Sequence, residues 1–466
     1  MTTVQNSAAQ SATSRWARPI VFGVIMGSQL MMVLDTSIVT TALPHIEQEL
    51  GFSTASLSWV HNAYALAFGG LLLLGARAGD LFGRVRVFMA GVLIFTVASF
   101  MAGVAPDALT LVIARLLQGA ASALAIPATL ALLVQAFPAP EERSRAISIY
   151  SAVIGAGGSV GIIVGGLFTD LLSWRWGLLI NIPIGILVLV LAPRFLPKSD
   201  KVVGRFDILG ALTITAGMTA LVYGLVTAAS HGWDTPVTVG SLIVAAVLIP
   251  TFVQIERRAY QPIVPLRLFG SSIRSMAYIA RILIVGAMFS TFFFLSQYLQ
   301  HVLGFSALLA GLSYIPLTLL FFAMVYVVRP LSDRLGKPRL LLMSLIVAAI
   351  GMLWLSRIGE GTNYFPSVLL PLLVLGVGQG IAIILLTEFG MSGIHDNDRG
   401  AASGLVNTAH QLGGSVGLAL LTVVFGAANA QSAEGYSSVF TVATAFYVLA
   451  VPAVGVVLVA QRQGST

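Results

Sequence analysis

The chain of 466 residues contains no cysteine. That excludes disulfide staples and thiolate metal sites. It says little about redox compartment, because a bundle held in lipid needs no staples. Charge is scarce as well: Asp, Glu, Lys and Arg make up 9 % of the residues against 57 % hydrophobic, and mean hydropathy is +0.93. A soluble chain carries roughly 25 % charged residues, and nowhere is there a polar stretch long enough for a soluble domain. No G-x-x-x-x-G-K-[S/T] phosphate loop is present, so nothing points to an ATPase. His45, His61, His231, His301, His395 and His410 are scattered and form no H-x-x-x-H set. Neither a metal nor a cofactor is expected, and a polytopic membrane enzyme would need a His or acidic cluster that is missing.

What the chain has instead is apolar length. Fourteen stretches reach the ~20 residues needed to cross a hydrocarbon core of ~30 Å. They run over about 20–43, 57–78, 87–105, 109–133, 146–169, 176–193, 207–229, 237–255, 276–299, 307–328, 339–356, 365–388, 400–426 and 438–460. With the N-terminus inside, 21 of the 25 Lys and Arg fall on cytoplasmic loops and ends. Arg175 and Arg357 fall on external loops, and Arg115 and Arg281 within spans. This asymmetry is the positive-inside pattern and puts both termini in the cytoplasm. The net charge of +7 is therefore a topology signal, and nucleic acid is not an expected partner.

A signature repeats. Asp80-Leu-Phe-Gly83-Arg84-Val-Arg86 and Asp333-Arg334-Leu-Gly336-Lys337-Pro-Arg339 both read D-x-x-G-[R/K]-x-R, 253 residues apart. The pentapeptide Gly157-Gly-Ser-Val-Gly161 returns as Gly413-Gly-Ser-Val-Gly417, with Arg143 and Arg399 fourteen residues ahead of each. Two echoes at nearly one offset imply a duplicated bundle, and duplicated membrane bundles place a transport site where their halves meet. The expected fold is an all-α polytopic membrane protein with two pseudo-symmetric six-helix halves and two inserted helices. The divisions are a disordered cytoplasmic tail (1–18), an N-terminal half (19–193), a linker (194–206), the insert (207–255), a second linker (256–275) and a C-terminal half (276–462). A cleaved signal peptide is not expected, because the first apolar run is a full span bearing Asp35.

Further motifs lie in order along the chain. They are Leu34-Asp35-Thr-Ser-Ile-Val-Thr-Thr-Ala-Leu-Pro44, Gly75 to Arg86, Arg115-Leu-Leu-Gln118-Gly119, Gly157 to Gly166, Trp174-Arg175-Trp176 and Asn181-Ile-Pro183-Ile-Gly185. On these the chain resembles the major facilitator superfamily, specifically its fourteen-helix drug:proton antiporter branch, from Arg18 to Arg462. The sequence departs from the family pattern at two points. Ala76 replaces the leading Gly of the loop motif, and Ile162 stands where the helix 5 motif has Pro. The resemblance implies proton-driven export of amphipathic drugs or antibiotics by alternating access, in a multi-pass cell-membrane protein expected to be a monomer. The same fold exporting a dedicated metabolite or a lipid is the alternative; a membrane enzyme or sensor is the distant one.

Residue chemistry gives the candidate site. Asp35 and Arg115 lie about 14 and 10 Å from one membrane face at 1.5 Å per residue, comparable depths within one half. A mid-membrane charge costs roughly 2.5–3.5 kcal/mol on insertion scales, so such residues are paired, functional or both. Lipid desolvation and a nearby cation act oppositely on a carboxyl, and a changing Asp35–Arg115 separation couples a proton to a motion. A static polar anchor is the alternative for each. Glu388 is either a second protonation site or a structural partner of nearby basic groups, and Arg281 is expected to reach the cytoplasmic interface by snorkelling. Gly157, Gly161 and Gly165, with Gly413 and Gly417, form flat strips that let backbones approach, and Gly166 adjoins them. The resemblance implies a sliding interface between halves there. Gly75, Asp80, Gly83, Arg84, Arg86, Asp333, Arg334, Gly336 and Arg339 are the expected gate, alternatively topology-setting charge. Asn62, Tyr64, Gln118, Phe292, Phe293, Gln297 and Tyr298 are candidate cavity residues for a small amphipathic substrate, or otherwise plain helix packing.

Overall fold

The computed structural model describes residues 2–137, 139–196, 207–259, 262, 264, 266–394, 399–428 and 432–463. Among them, twelve helices are long and apolar enough to cross a membrane. These are α1 (Thr2–Leu50, apolar from Pro19), α3 (Arg84–Gly103), α4 (Ala108–Ala136) and α6 (Trp174–Phe195). They continue with α7 (Ile208–His231), α8 (Pro236–Arg258), α9 (Ser272–Val302), α10 (Ala307–Leu335) and α11 (Lys337–Leu355). The last three are α12 (Tyr364–Gly390), α13 (Arg399–Ala427) and α14 (Ala433–Gln463). Two further helices, α2 (Trp59–Phe82, 24 residues) and α5 (Pro140–Leu171, 32 residues), fall on the expected spans 57–78 and 146–169. The expected tail 1–18 falls on residues whose side chains lie outside the described set, and the linker 194–206 lies mostly outside it.

Local chemistry sets the helix boundaries. Asp107, Asp207, Thr235, Ser271 and Ser306 each accept a backbone N–H from the first turn of the helix they precede, satisfying a donor that has no partner within the helix. The reversals from α2 to α3 and from α10 to α11 pass through Gly83 (φ 97°) and Gly336 (φ 80°), a backbone conformation costly for any residue with a Cβ. These are the two repeated glycines of the signature.

Helices α1–α6 pack into one bundle, with α1 against α5 and α6, and α4 against α2 and α3. Helices α9–α14 form another, with α9 against α13 and α14, and α12 against α10 and α11. The inserted pair α7 and α8 pack on each other, and α7 also lies against α2 and α13. Exposed Val97, Leu187, Val190, Val247, Leu319, Ile350 and Leu449 leave the outer surface apolar, as lipid requires. Most of the hydrogen bonds seen between the bundles among the described residues lie at one end, with Thr408 of α13 donating to Gly69 O of α2 at 3.4 Å nearer the middle. Asp170 at the end of α5 accepts the Ala307 and Leu308 N–H groups at 3.0 and 2.9 Å. Ser296 donates to Thr40 O at 3.0 Å, and Gln300 donates to Thr41 O at 3.2 Å. Glu47 and His301 also face each other there, at 3.9 Å.

Candidate functional site

Asp35 of α1 and Arg115 of α4 meet directly. Both are fully buried, and Arg115 Nη1 donates to Asp35 Oδ2. The further hydrogen-bond partners of this pair among the described residues are neutral. Gln118, one turn on from Arg115, accepts from Arg115 Nη1 at 2.8 Å and donates its Nε2 to Asp35 Oδ1 at 2.8 Å. Asn181 of α6 donates to the same Asp35 oxygen at 2.9 Å, and Ser99 of α3 accepts from Gln118 at 2.9 Å. Arg115 Nε donates to Val60 O at 3.0 Å, and its guanidinium carbon lies 4.7 Å from the centre of the Tyr64 ring. Helices α4 and α6 thus meet the α1 carboxylate directly, and α2 and α3 join through Arg115 and Gln118. Buried charges need such company, because an unpaired one costs several kcal/mol.

A cavity of about 390 Å³ lies between the two bundles. Its wall includes Thr36, Ser37 and Thr40 of α1, His61 and Tyr64 of α2, and Ser159 and Ile162 of α5. From the other bundle come Phe289 and Phe292 of α9, Phe321 and Phe322 of α10, Gln379 of α12, and His410 and Gln411 of α13. No Asp, Glu, Lys or Arg is among its described lining residues. Aromatic faces with a few neutral polar groups suit a bulky amphipath held by shape and stacking. Tyr64 belongs to both assemblies: it forms the cavity wall and its ring covers Arg115.

Of the residues expected at the cavity, Tyr64 and Phe292 line it, and Gln118 belongs to the Asp35 cluster. Asn62, Phe293, Gln297 and Tyr298 are buried in the packing instead; Phe293 stands edge-on to His61 at 6.1 Å, and Tyr298 donates to Gly359 O at 3.0 Å. Glu388 pairs with Lys337 at 2.8 Å, each side chain about half exposed, which ties the end of α12 to the repeated signature. Arg281 does not snorkel. It is 6 % exposed, donating to Thr387 Oγ1 at 2.9 Å and reaching His410 Nδ1 at 3.4 Å.

The glycine strips face their own bundles. A Cβ on Gly161 would stand 2.7 Å from Ser37 Cβ and one on Gly165 2.7 Å from Ile38 Cα, while Gly157 abuts Val33, so the first strip seats α5 on α1. A Cβ on Gly413 would stand 2.6 Å from Ile282 O and one on Gly417 2.2 Å from Gly286 Cα, seating α13 on α9. Gly166 alone of this set meets the other bundle, at Ala307 and Leu308 of α10. In the signature loops, Gly75 packs on the α4 backbone, and Arg86, Asp333, Arg334 and Arg339 are exposed. The Asp80 side chain lies outside the described residues.

Some of these contributors were not foreseen. Ser99 looks like any small polar residue in a span, and Asn181 stood out only as part of a motif. His61 and His410 appeared scattered because the fold, not the sequence, brings them to one wall.

Residues 25–418 match the family model described as Major Facilitator Superfamily. The chain belongs to that superfamily. It is a membrane transporter and not an enzyme. A puromycin resistance protein of Streptomyces alboniger is 37 % identical to it over 93 % of this chain and 88 % of that one. A cephamycin export protein of Amycolatopsis lactamdurans is 37 % identical over 97 % and 95 %. Among solved structures, a peptide transporter bound to sulfate superposes on the transporter with TM-score 0.70 at 13 % identity, covering 95 % of this chain and 94 % of that one. A nucleoside transporter does so with TM-score 0.64 at 15 % identity, covering 94 % and 98 %. The structural likenesses establish the fold alone.

Proposed function

We propose that this transporter exports amphipathic drugs or antibiotics from the cell in exchange for protons, by alternating access, as a fourteen-span monomer with both termini cytoplasmic. The observation that carries the reading is the sealed Asp35–Arg115 pair standing directly behind Tyr64 on the wall of a neutral aromatic cavity. Protonating Asp35 removes the charge that Arg115 answers, and an uncompensated buried charge costs about 3–5 kcal/mol. That is enough to reverse a two-state balance, since each 1.4 kcal/mol is a factor of about 10. Arg115 would then shift under the Tyr64 ring, so proton and cargo sense each other through one side chain. The drug-resistance and export names of relatives sharing 37 % identity support export of such compounds. The fourteen-span count adds α2 and α5 to the twelve apolar helices. On the positive-inside reading the end carrying Glu47 and Asp170 faces outward. The contacts there close the cavity to the outside, and Glu388 with the signature loops would latch the opposite face.

The test is dye movement in inside-out vesicles, comparing wild type with Asp35→Asn. Wild type should load an ethidium-like or antibiotic cargo on energisation and release protons as it does so; Asp35→Asn should do neither. Equal transport by both would reduce Asp35 to an anchor and sink the coupling role.

A further inference from the structure

Resting on the reading of the cavity as the cargo site, we propose that Arg281 and His410 form an anion-recognition subsite, so that the preferred cargo is an amphipath bearing one negatively charged group. Two arginines stand next to this cavity, and they are in opposite electrostatic situations. Arg115 is neutralised by Asp35. Arg281 has no carboxylate partner among the described residues; it donates to Thr387 and reaches His410, and its Nε is buried without an acceptor. The second bundle therefore holds a cation that no carboxylate among the described residues answers.

His410 carries that charge to the cavity. Arg281 Nη2 points at His410 Nδ1. A guanidinium can only donate, so Nδ1 acts as the acceptor and the ring's proton sits on Nε2. The ring itself is part of the cavity wall, set edge-on to Phe289 at 5.6 Å. That leaves an N–H donor, polarised by a buried cation, on a ring that stands at the cavity wall beside Phe289. A carboxylate or similar acid group on an apolar body fits that arrangement, because charge-assisted hydrogen bonds are about twice as strong as neutral ones. A cationic cargo finds no acid among the described residues of the wall. The anion could be a free organic acid or a lipid headgroup; both present the same chemistry to His410.

The experiment measures binding, without any gradient, to the full chain in phosphatidylcholine nanodiscs. The probes are dansyl-aminoundecanoate and its methyl ester, which share the apolar body and differ in charge. Wild type should bind the acid at least about tenfold tighter than the ester. Arg281→Gln should retain ester binding and lose the preference, and Arg281→Lys should keep part of it. Equal wild-type affinities, which require no variant to fold, or an undiminished preference in Arg281→Gln, would overturn the inference. Failure of wild type to bind either probe would instead overturn the cargo-cavity reading beneath it. In nanodiscs with phosphatidylglycerol, an acid affinity that falls in wild type but not in Arg281→Gln supports the subsite with headgroups as a competing source. An unchanged wild-type affinity supports it with the free acid as the ligand.

Discussion

At the scale of single residues, one buried acid, Asp35, is paired with one buried base, Arg115. Arg115→Met should strip Asp35 of its cation and lower stability by about 3–5 kcal/mol, read as a large fall in the detergent melting temperature. The double variant Asp35→Asn with Arg115→Met should recover part of that loss, because no charge is then left unanswered. Asn181→Ala removes one donor of 2.9 Å from Asp35 and should cost less, about 1–3 kcal/mol. The sequence made Asp35 and Arg115 legible, because ionised groups inside apolar spans are rare enough to stand out at once. It did not reveal Ser99 or the wall position of His410: their residue types are unremarkable, and only helix rotation decides which way they face.

At the scale of the helix, glycine decides how close two backbones come. Gly417→Ala would push a Cβ to 2.2 Å from Gly286 Cα, which rigid backbone cannot relieve, and overpacking of this kind costs about 1–3 kcal/mol. Gly23→Ala, with nothing within 4 Å of the added carbon, should be neutral or slightly stabilising in the same melting assay. The glycine strips were readable as close-packing faces from their four-residue spacing, yet spacing does not name the partner. They were expected to join the halves, and they seat α5 on α1 and α13 on α9 instead. The N-caps carry a pH signature. Asp107 lies outside the membrane helices, and the backbone N–H and the hydroxyl it accepts from Thr110 hold its carboxyl below the ordinary range. A lowered pKa means the ionised cap stabilises at neutral pH and loses that contribution as pH falls through the folded value. Asp107→Asn, which still caps, should therefore show a flatter stability profile below about pH 4.

At the scale of the whole molecule, the closed end is held by a small number of polar contacts between bundles. Asp170→Ala removes the acceptor for the Ala307 and Leu308 N–H groups, and should shift the population towards opening at that end. Because the chain has no native thiol, Ser159→Cys on the cavity wall gives a single reporter. Its labelling by a membrane-impermeant maleimide from the Glu47 side should rise about tenfold when 1.4 kcal/mol of closure is lost. The duplicated signature made a two-bundle plan legible because chain reversals repeat in sequence. The cavity between the bundles could not be read that way, since residues from seven helices meet there across hundreds of positions. Arg281, a buried cation with no carboxylate partner among the described residues, also bears on driving force. If one proton enters for each anion that leaves, two elementary charges move down an inside-negative membrane potential. At 100 mV that is about 4.6 kcal/mol, from ~2.3 kcal/mol per charge, whereas proton-for-cation exchange moves no net charge. The voltage alone would then sustain a cargo gradient of roughly a thousandfold or more, and collapsing it with valinomycin and potassium should slow export even when the pH gradient is intact.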